Sequence, residues 1–411
     1  MTGSRDEDGA GGHHDIETRA RMSRIALVSS SFAPYRGGVE EHVRHTAAAL
    51  LDRGHEVLVW TVDRGEHLGV RTVDGVTVRY LPTPLPAARV GALARFARVA
   101  PAAWRAWGAA LRTDRPDLLH VHCFGPNGVY AAALARRHTL PLVVTGHGET
   151  FMDAQVFTDS ALLRAALRAA LRRAAAVTGV SEVVLADLRQ RFGLGHATVI
   201  GNGVPAGSVT APDAAPDAAP DAGTRRPRPD PTICAVGRLE PVKGFDLLLD
   251  ALPLVMAAQP GTRLRLGGSG SAIDSLTEQI HRLGVAEAVS LLGPLTQEQV
   301  ATEMAAADVV VVPSRREAFG IVVLEAWRSG TALVATNRDG PGTLVRHGID
   351  GLLVDPDDAA ALAAAILRVL SDQEYAARLG AAGRDRVAEF TWPAVAAAYE
   401  RLYAAILRSA D

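Results

Sequence analysis

Residues 308–326 read D-V-V-V-V-P-S-R-R-E-A-F-G-I-V-V-L-E-A and carry the clearest fold signal in the chain. The apolar run 308–313 predicts a buried strand, and the residues after the F-G pair predict a helix. Parallel α/β sheets are built from such strand–loop–helix units, and ligands bind at the loops that follow their strands. The carboxylates of Glu317 and Glu325 flank this loop, so the same segment also predicts a site.

The loop after this strand offers two kinds of hydrogen-bonding group. The backbone amides of Phe319, Gly320 and Ile321 fall at the predicted helix start, where N–H groups have no intrahelical partner and bind anions. The ionised carboxylates of Glu317 and Glu325 only accept hydrogen bonds, which suits hydroxyl groups. A ligand with both phosphate and hydroxyls, such as a nucleotide sugar, fits this combination.

Lys243 is the one lysine among the 43 Lys and Arg residues of the chain. It follows Arg238 in A-V-G-R-L-E-P-V-K-G, between a predicted strand, T-I-C-A-V-G, and a predicted helix that starts F-D-L-L-L. Lysine is a compact charge on a flexible stem, whereas arginine is a planar fork. A lysine at a strand-to-helix loop therefore indicates phosphate binding, and a chance surface lysine is the alternative.

Short apolar runs alternate with helical patterns in both halves of the chain, which predicts parallel sheets covered by helices. The predicted strands are 24–30, 55–61, 117–123, 142–145 and 176–180, and then 232–237, 263–267, 289–292, 308–313 and 332–336. Between the halves, the A-P-D-A repeats of 211–222 indicate an extended spacer that cannot form a core. We therefore predict domains over residues 23–205 and 232–391, joined by a Pro/Ala/Asp-rich linker over 206–231.

The composition excludes several classes of protein. Of 411 residues, 48% are hydrophobic and 21% charged, as in globular chains, and no run of 18 apolar residues predicts a membrane span. Residues 1–22 lack the apolar core of a signal peptide, so we expect a disordered leader, with Met22 as an alternative start. Cys123 and Cys234 lie in apolar, strand-like settings and predict a reduced, cytoplasmic protein with two core thiols.

Taken in order, these segments resemble the retaining glycosyltransferases of the GT-B fold, in glycosyltransferase family four, the group of glycogen-synthase-like and mannosyltransferase-like enzymes. The E-x7-E motif matches at Glu317 and Glu325, and the R-x4-K motif matches at Arg238 and Lys243. Further matches are F-A-P-Y-R-G-G-V-E-E-H-V at 32–43, H-V-H at 120–122, G-H-G at 146–148, V-S-E at 180–182, G-N-G-V at 201–204, G-G-S-G at 267–270 and G-I-D-G-L-L-V-D-P-D-D at 348–358.

The resemblance implies an α/β architecture in which two Rossmann-like, doubly wound domains face a cleft. Domain 23–205 would bind the acceptor and domain 232–391 the nucleotide sugar. The last helix, within 393–411, would pack back on the acceptor domain.

The same resemblance implies roles for individual residues. Arg238 and Lys243 would hold the donor diphosphate, Glu325 would accept hydrogen bonds from the ribose, and Glu317 would accept them from the transferred sugar. His147 would reach that sugar from the N-terminal domain, and the alternative is a satisfied polar residue at a strand end. These implications make His147, Glu317, Arg238 and Lys243 the candidate catalytic residues.

Backbone groups complete the implied donor site. Gly37 and Gly38 would let the backbone of the first domain close on the donor. The amides that would cradle sugar and phosphate belong to Phe319, Gly320, Ile321 and Val322.

No D-x-D pair is placed to bind a divalent metal, so we expect neither a metal nor a resident cofactor. The charge of the leaving group would then be met by Arg238, Lys243 and helix amides. In the family that the chain resembles, the donor phosphate receives the acceptor proton on the same face of the sugar, which implies retention of the anomeric configuration.

The resemblance thus implies a retaining transferase that uses a nucleotide-linked sugar, with UDP or GDP expected and an adenine nucleotide left open. The acceptor is left open as a small molecule, a lipid or a glycan, and we expect no nucleic-acid partner. The alternatives are an epimerase or phosphorylase on the same fold, since fold does not fix chemistry, or a non-catalytic protein that binds nucleotide sugars. The oligomeric state is also left open.

Three positions depart from the family pattern. Pro205 follows N-G-V where an acidic residue is usual, Asp339 occupies a position where the family has Gly, and Gly342 one where it has Glu. Donor contacts from the loop 337–345 are therefore in question.

The segments 86–115 and 160–175 are basic and amphipathic, which suits either an anionic membrane face or a core stripe with solvated arginines. Peripheral contact with the inner membrane face is accordingly left open.

Overall fold

The chain folds into two parallel-sheet domains around a cleft. The structure is a computed structural model that describes residues 22–35, 37–87, 90–152, 154–205, 207 and 230–409. The A-P-D-A repeats and nearly all of the predicted leader lie outside the described residues.

The first domain contains an eight-stranded sheet with the strand order β3-β4-β2-β1-β5-β6-β7-β8. Its strands are β1 (Arg24–Ser29), β2 (Glu56–Val62), β3 (Val70–Val73), β4 (Val76–Leu81), β5 (Leu118–His122), β6 (Leu142–Gly146), β7 (Ala176–Gly179) and β8 (Thr198–Val199). All neighbours are parallel except β3 and β4, which form an antiparallel hairpin at the sheet edge. The parallel strands therefore end on one edge, where ligands bind in such folds.

Helices cover both faces of this sheet. They are α1 (Gly38–Asp52), α2 (Val90–Asp114), α3 (Pro126–His138), α4 (Glu149–Met152), α5 (Ala154–Asp159), α6 (Ala161–Arg173) and α7 (Glu182–Phe192). Trp60, Trp107 and Tyr130 are fully buried between the sheet, α2 and α3.

The second domain contains a six-stranded, wholly parallel sheet with the strand order β11-β10-β9-β12-β13-β14. Its strands are β9 (Thr232–Val236), β10 (Arg263–Gly267), β11 (Val289–Gly293), β12 (Val309–Val312), β13 (Ala332–Thr336) and β14 (Leu352–Val354). Its helices are α8 (Phe245–Ala258), α9 (Ile273–Leu283), α10 (Gln297–Ala306), α11 (Ile321–Ser329), α12 (Asp339–Leu344), α13 (Ala359–Ser371) and α14 (Gln373–Val387). The four valines of β12 are buried, as the apolar run predicted.

The last helix, α15 (Trp392–Arg408), returns to the first domain and packs along α1. Glu400 on α15 pairs with Arg53 and lies 3.2 Å from the His55 ring. The Val204 amide donates to the Phe390 carbonyl at 2.9 Å, so the described end of the first domain lies beside the segment that leads into α15. Two facing parallel-sheet domains confirm the predicted α/β, doubly wound fold class.

The two basic amphipathic segments each pack one side against the first domain, and the first half of α2 is largely exposed. On α6, Leu163, Leu167 and Leu171 are buried, and on α2, Trp107 is fully buried. Within the described residues, none of the helices has the length and apolar character needed to cross a bilayer.

Candidate active site

A cleft of about 690 Å³ separates the carboxyl ends of the two sheets, within the usual size of a small-ligand site. The structure brings all the predicted site residues to this one cleft: Gly37, Gly38, His147, Arg238, Lys243, Glu317, Phe319, Gly320, Ile321, Val322 and Glu325. Residues that lie up to 288 positions apart in the chain therefore line the same cleft.

Lys243 and Glu317 form an ion pair in the wall of the second domain. The Lys243 Nζ lies 2.5 Å from a Glu317 carboxylate oxygen, and the side chains are 13% and 14% exposed. Ion pairs at this degree of burial are less screened than those on the surface. The pair thus presents one cation and one hydrogen-bond acceptor at the same point of the cleft.

The loop that carries Lys243 is fixed against the end of β12. Lys243 ends a short 3-10 turn, Pro241–Lys243, and Gly244 follows with a left-handed φ of +67°. A Cβ on Gly244 would lie 2.0 Å from the Pro313 carbonyl oxygen, so only glycine allows this approach. The Arg315 amide donates to the Val242 carbonyl at 2.9 Å and ties the two loops together.

Arg238 lies at the rim of the same cleft, just after β9. It is exposed and forms no ion pair within the described part of the chain. The G-G-S-G loop holds its backbone, since the Leu239 amide donates to the Ser269 carbonyl at 2.9 Å. A Cβ on Gly268 would lie 1.8 Å from the Gly237 oxygen. The guanidinium is thus available to an anion at a fixed backbone position.

The start of α11 supplies backbone donors to the cleft. Gly320 is the N-cap, with a left-handed φ of +97° and no side-chain cap. Along the described chain, the amides of Phe319, Gly320, Ile321 and Val322 have no backbone acceptor. The positive end of a helix favours anions, so these four donors can hold a phosphate.

Glu325 lies one turn into α11, at the floor of the cleft. Burial and the nearby Glu41 carboxylate raise the pKa of Glu325 to about 7, although Arg328 opposes this shift. No hydrogen-bond partner for its carboxylate occurs among the residues that the structure describes. A half-buried carboxylate without donors is costly, and a hydroxyl-bearing ligand would supply them.

His147 lies at the cleft, directly after β6. Its amide donates to Glu149 at 2.7 Å, while the other oxygen of that carboxylate accepts from the Phe124 amide at 2.8 Å. Its ring lies 3.2 Å from the His122 ring, between Nε2 and Nδ1. Burial lowers the pKa of His147 well below 6.5, so the ring is neutral at physiological pH.

His42, His122 and His147 are the only group of three described residues whose geometry approaches that of a metal ligand set, with nitrogens within 4.8 Å. Hydrogen bonds engage both nitrogens of His42, to Asn202 at 2.6 Å and to Tyr399 at 3.2 Å. Both nitrogens of His42 therefore have partners, whereas the Nε2 of His122 is buried without one in the described chain.

The two domains touch at the turn Ala318–Phe319. The Ser181 hydroxyl donates to the Ala318 carbonyl at 2.5 Å. A Cβ on Gly201 would lie 2.8 Å from the Phe319 ring. Across the gap, a Cβ on Gly38 would lie 3.9 Å from Ile321. The donor loop of the second domain is therefore in direct contact with the first.

Asp339, one of the departures from the family pattern, supports the loop that carries Glu317. It has a left-handed φ of +56°, rare for a residue other than glycine. One of its oxygens accepts from the Arg316 guanidinium at 2.6 Å and from the Glu317 amide at 3.3 Å. The Gly340 amide donates to the Glu317 carbonyl at 2.8 Å, and the Arg316 guanidinium lies 4.8 Å from the Phe151 ring.

Position 342, where the family has Glu, leaves no room for a side chain in this structure. A Cβ at position 342 would lie 2.1 Å from the Asn337 carbonyl oxygen, so no side chain fits there.

Several cleft residues escaped the sequence analysis. Cys123 was predicted to be a core thiol, but it is only half-buried and lines the cleft, because the chain turns at a φ of +57° just after β5. Ser31, Arg64 and Glu149 also line the cleft, each after a first-domain strand. These residues belong to none of the recognised motifs. Their position directly after a strand was the sequence feature that could have indicated them.

The facing parallel-sheet domains and the interdomain cleft define the two-domain architecture of the GT-B class. The model for glycosyl transferases group 1 matches residues 221–386, and that for glycosyltransferase family 4 matches residues 36–207. Glycogen synthase from Mycobacterium tuberculosis is 33% identical over 412 residues, which cover 94% of this chain and 95% of that protein. The chain belongs to the group 1 glycosyltransferases and is an enzyme of sugar transfer.

Solved structures share the fold. Sucrose-phosphate synthase from Thermosynechococcus elongatus superposes with a TM-score of 0.76 at 26% identity, covering 94% of this chain and 99% of that one. Anabaena HepE, in complex with UDP and glucose, superposes with a TM-score of 0.73 at 23% identity, covering 93% of this chain and 99% of that one.

Proposed function

We propose that the protein transfers a sugar from a UDP- or GDP-linked donor to an acceptor hydroxyl, with retained anomeric configuration and without a metal. The observation that carries this proposal is the meeting of Lys243, Arg238 and the free amides of α11 at one wall of the cleft. Two cations and four helix-start donors can offset the charge of a diphosphate, the task that a divalent metal performs elsewhere.

The second domain binds the donor in this proposal. The diphosphate contacts Arg238, Lys243 and the amides of α11, while the ribose hydroxyls donate to Glu325. Glu317 accepts from the transferred sugar once the diphosphate has drawn Lys243 away. The complex of HepE with UDP and glucose supports a donor of this class, as does the family itself.

The transfer step breaks one bond and makes another on the same face of the sugar. The bond between the anomeric carbon and the phosphate oxygen breaks, and the electron pair leaves with the diphosphate. The acceptor oxygen bonds to the anomeric carbon, and its proton passes to the departing phosphate oxygen. Arg238 and Lys243 stabilise the charge that builds on the diphosphate. This stabilisation is larger in the transition state than in the ground state.

His147 acts from the opposite wall as a neutral hydrogen-bonding group. Burial keeps the pKa of His147 well below 6.5. The neutral ring therefore forms a hydrogen bond with the sugar and no ion pair with the diphosphate. The contact between Ser181 and Ala318 closes this side of the cleft, which excludes water that would otherwise hydrolyse the donor.

Donor consumption tests this proposal against the alternatives that the sequence alone left open. A transferase consumes the donor in proportion to acceptor and forms a new glycoside. An epimerase converts the donor without an acceptor, and a binding protein consumes none.

Lys243→Arg tests the proposed role of the lone lysine. The variant keeps the charge but replaces a compact ammonium with a planar fork, next to Gly244, which already touches the Pro313 carbonyl. We expect turnover to fall at least tenfold, with a smaller loss in donor affinity measured by calorimetry. Arg282→Ala, on the exposed face of α9, is the matched control and should keep parental turnover. Full activity of Lys243→Arg would remove the lysine from the mechanism.

A further inference from the structure

The imidazole ring of His147 has one nitrogen engaged by the protein and one left to the cleft. Its Nε2 lies 3.2 Å from the Nδ1 of His122, at hydrogen-bonding distance. Its Nδ1 has no partner among the residues that the structure describes, and the residue lines the cleft. Because one hydrogen is shared between the two rings, the direction of their bond decides whether His147 offers the cleft a donor or an acceptor.

Both rings are neutral in the folded protein, so each carries one N–H group. Burial lowers the pKa of His122 and of His147 well below 6.5, and neighbouring histidine rings lower both further. A neutral imidazole donates from one nitrogen and accepts at the other. The tautomer of one ring therefore fixes the tautomer of the ring to which it is hydrogen-bonded.

The surroundings of His122 select one direction for this bond. The residue has no exposed surface, and its Nε2 is buried without a hydrogen-bond partner among the described residues. If His147 donated to His122, the proton of His122 would be on Nε2, as a buried N–H without an acceptor. If His122 donates from Nδ1, its Nε2 keeps only an unused lone pair. Buried N–H groups without acceptors are rarer in proteins than unused acceptors, so the second direction is favoured.

Two other histidine rings pack against this pair, and their nitrogens are already engaged. His42 lies edge-on to His147, with ring centres 4.8 Å apart, and both nitrogens of His42 are hydrogen-bonded. The centre of the His120 ring lies 3.9 Å from that of His122, and the nitrogens of His120 each lie 2.6 Å from a hydroxyl group. Neither ring therefore offers an acceptor to the Nε2 of His122.

We propose that His122 is a positioning residue, which donates from Nδ1 to the Nε2 of His147 and so keeps the proton of His147 on the nitrogen that faces the cleft. This inference rests on the proposed function and gives a direction to its contact with the transferred sugar. His147 then donates to a sugar oxygen, whereas an ionised Glu317 only accepts. Sugar hydroxyls can therefore donate to one wall of the cleft and accept from the other.

The direct test is NMR of the full chain with nitrogen-15 in its histidine side chains. Long-range proton–nitrogen correlations show which ring nitrogen of a neutral imidazole carries the hydrogen, and loss of a signal set in His147→Asn or His122→Asn assigns it. In the parent we expect the proton of both His122 and His147 on Nδ1. A proton on the Nε2 of His147 would overturn the proposal, and this measurement needs neither a nucleotide sugar nor turnover.

Variants at position 122 connect the tautomer to transfer. His122→Phe keeps a ring and removes the bond, and we expect kcat to fall about tenfold, the lower end of the loss when a partner that orients a histidine is removed. Donor affinity measured by calorimetry should fall less, because the diphosphate contacts remain. His122→Asn, whose side-chain amide can donate in place of Nδ1, should recover part of kcat and keep the proton of His147 on Nδ1. His138→Phe, at the exposed end of α3, is the matched control and should keep parental kcat.

Parental kcat in a folded His122→Phe would contradict the positioning role. So would an equal loss of kcat in His122→Phe and His122→Asn while the proton of His147 stays on Nδ1 in both. The spectrum of the parent decides the proposal where a variant does not fold. A proton on the Nε2 of His147 in an active transferase would refute this inference alone, whereas failure to bind and consume any nucleotide sugar would refute the proposed function.

Discussion

At the residue scale, Asp339 combines an unfavourable backbone with favourable contacts. Its left-handed φ is strained for a side chain, yet its carboxylate holds Arg316 and the Glu317 amide. A glycine at this position would relieve the backbone strain, which favours stability. It would also remove the contact that holds the Glu317 loop, which lowers activity.

Asp339→Gly should lower kcat about tenfold, which corresponds to about 1.4 kcal/mol of transition-state stabilisation. The free energy of unfolding should stay within about 1 kcal/mol of the parent, because relief of strain offsets the lost ion pair. Asp339→Asn, which tolerates the same φ and keeps an acceptor, should fall between the two in kcat. Steady-state kinetics and urea unfolding measure both quantities. Unchanged kcat with altered stability would make Asp339 a purely structural residue.

The residues that could be predicted from the sequence are those in recognisable motifs. Arg238, Lys243, Glu317 and Glu325 have fixed spacings, and the structure brings all four to the cleft. The ion pair between Lys243 and Glu317 could not be predicted, because it joins loops 74 positions apart. Neither could the unpaired state of the His122 Nε2, which depends on every group packed around it.

At the scale of elements, the position of α11 determines the surroundings, and so the pKa, of the Glu325 carboxylate. The helix starts at Ile321, which puts Glu325 beneath the cleft and within reach of the field of Glu41 on α1. A pKa near neutrality makes the proposed ribose contact sensitive to pH.

Donor affinity should rise as the pH increases from 6 to 8. Burial and Glu41 raise the pKa of Glu325 to about 7, so the carboxylate is mostly protonated at pH 6 and mostly ionised at pH 8. Only the ionised form accepts hydrogen bonds with all its lone pairs. We expect calorimetry with an intact nucleotide sugar to give an increase of about tenfold, and Glu325→Gln to abolish it. An equal pH dependence in Glu325→Gln would assign it to another group.

Among the elements, strands with an apolar run were predicted in both sheets, including the edge strand β11, whereas the hairpin β3–β4 was not. The apolar runs at 232–237 and 263–267 agree with β9 and β10 within one residue. The hairpin β3–β4 was missed, since β3 is largely exposed and has no continuous apolar run. Its Asp74-Gly75 turn, with both residues at positive φ, was the signal that could have revealed it.

At the scale of the whole molecule, buried histidines make stability depend on pH. Burial lowers the pKa of His42 to about 4 and those of His120, His122 and His147 well below 6.5. Between about pH 4 and 6.5 the unfolded chain binds more protons than the folded one, so the free energy of unfolding falls as the pH is lowered. Glu325 has the opposite effect, because its raised pKa lets the folded chain bind the extra proton.

The four histidines change the number of bound protons on unfolding by more than the one glutamate does in the opposite direction. The urea midpoint should therefore fall steadily from pH 7 to pH 5. Each net proton contributes about 1.4 kcal/mol per pH unit. Glu325→Gln should make the decline steeper, because it removes the group that opposes it. Urea titrations monitored by circular dichroism at pH 5, 6 and 7 measure this slope. A midpoint that stays constant or rises on acidification would mean that the cluster is not neutral in the folded protein.

At the scale of the whole molecule, the proposed retention without a metal places one donor between both walls of the cleft. The most direct measurement is proton NMR of the first-formed product, made with excess EDTA present from the start. We predict an α-configured glycoside from an α-linked donor, at a rate within twofold of that without chelator. A β-configured product, or activity that EDTA abolishes and magnesium restores, would contradict it.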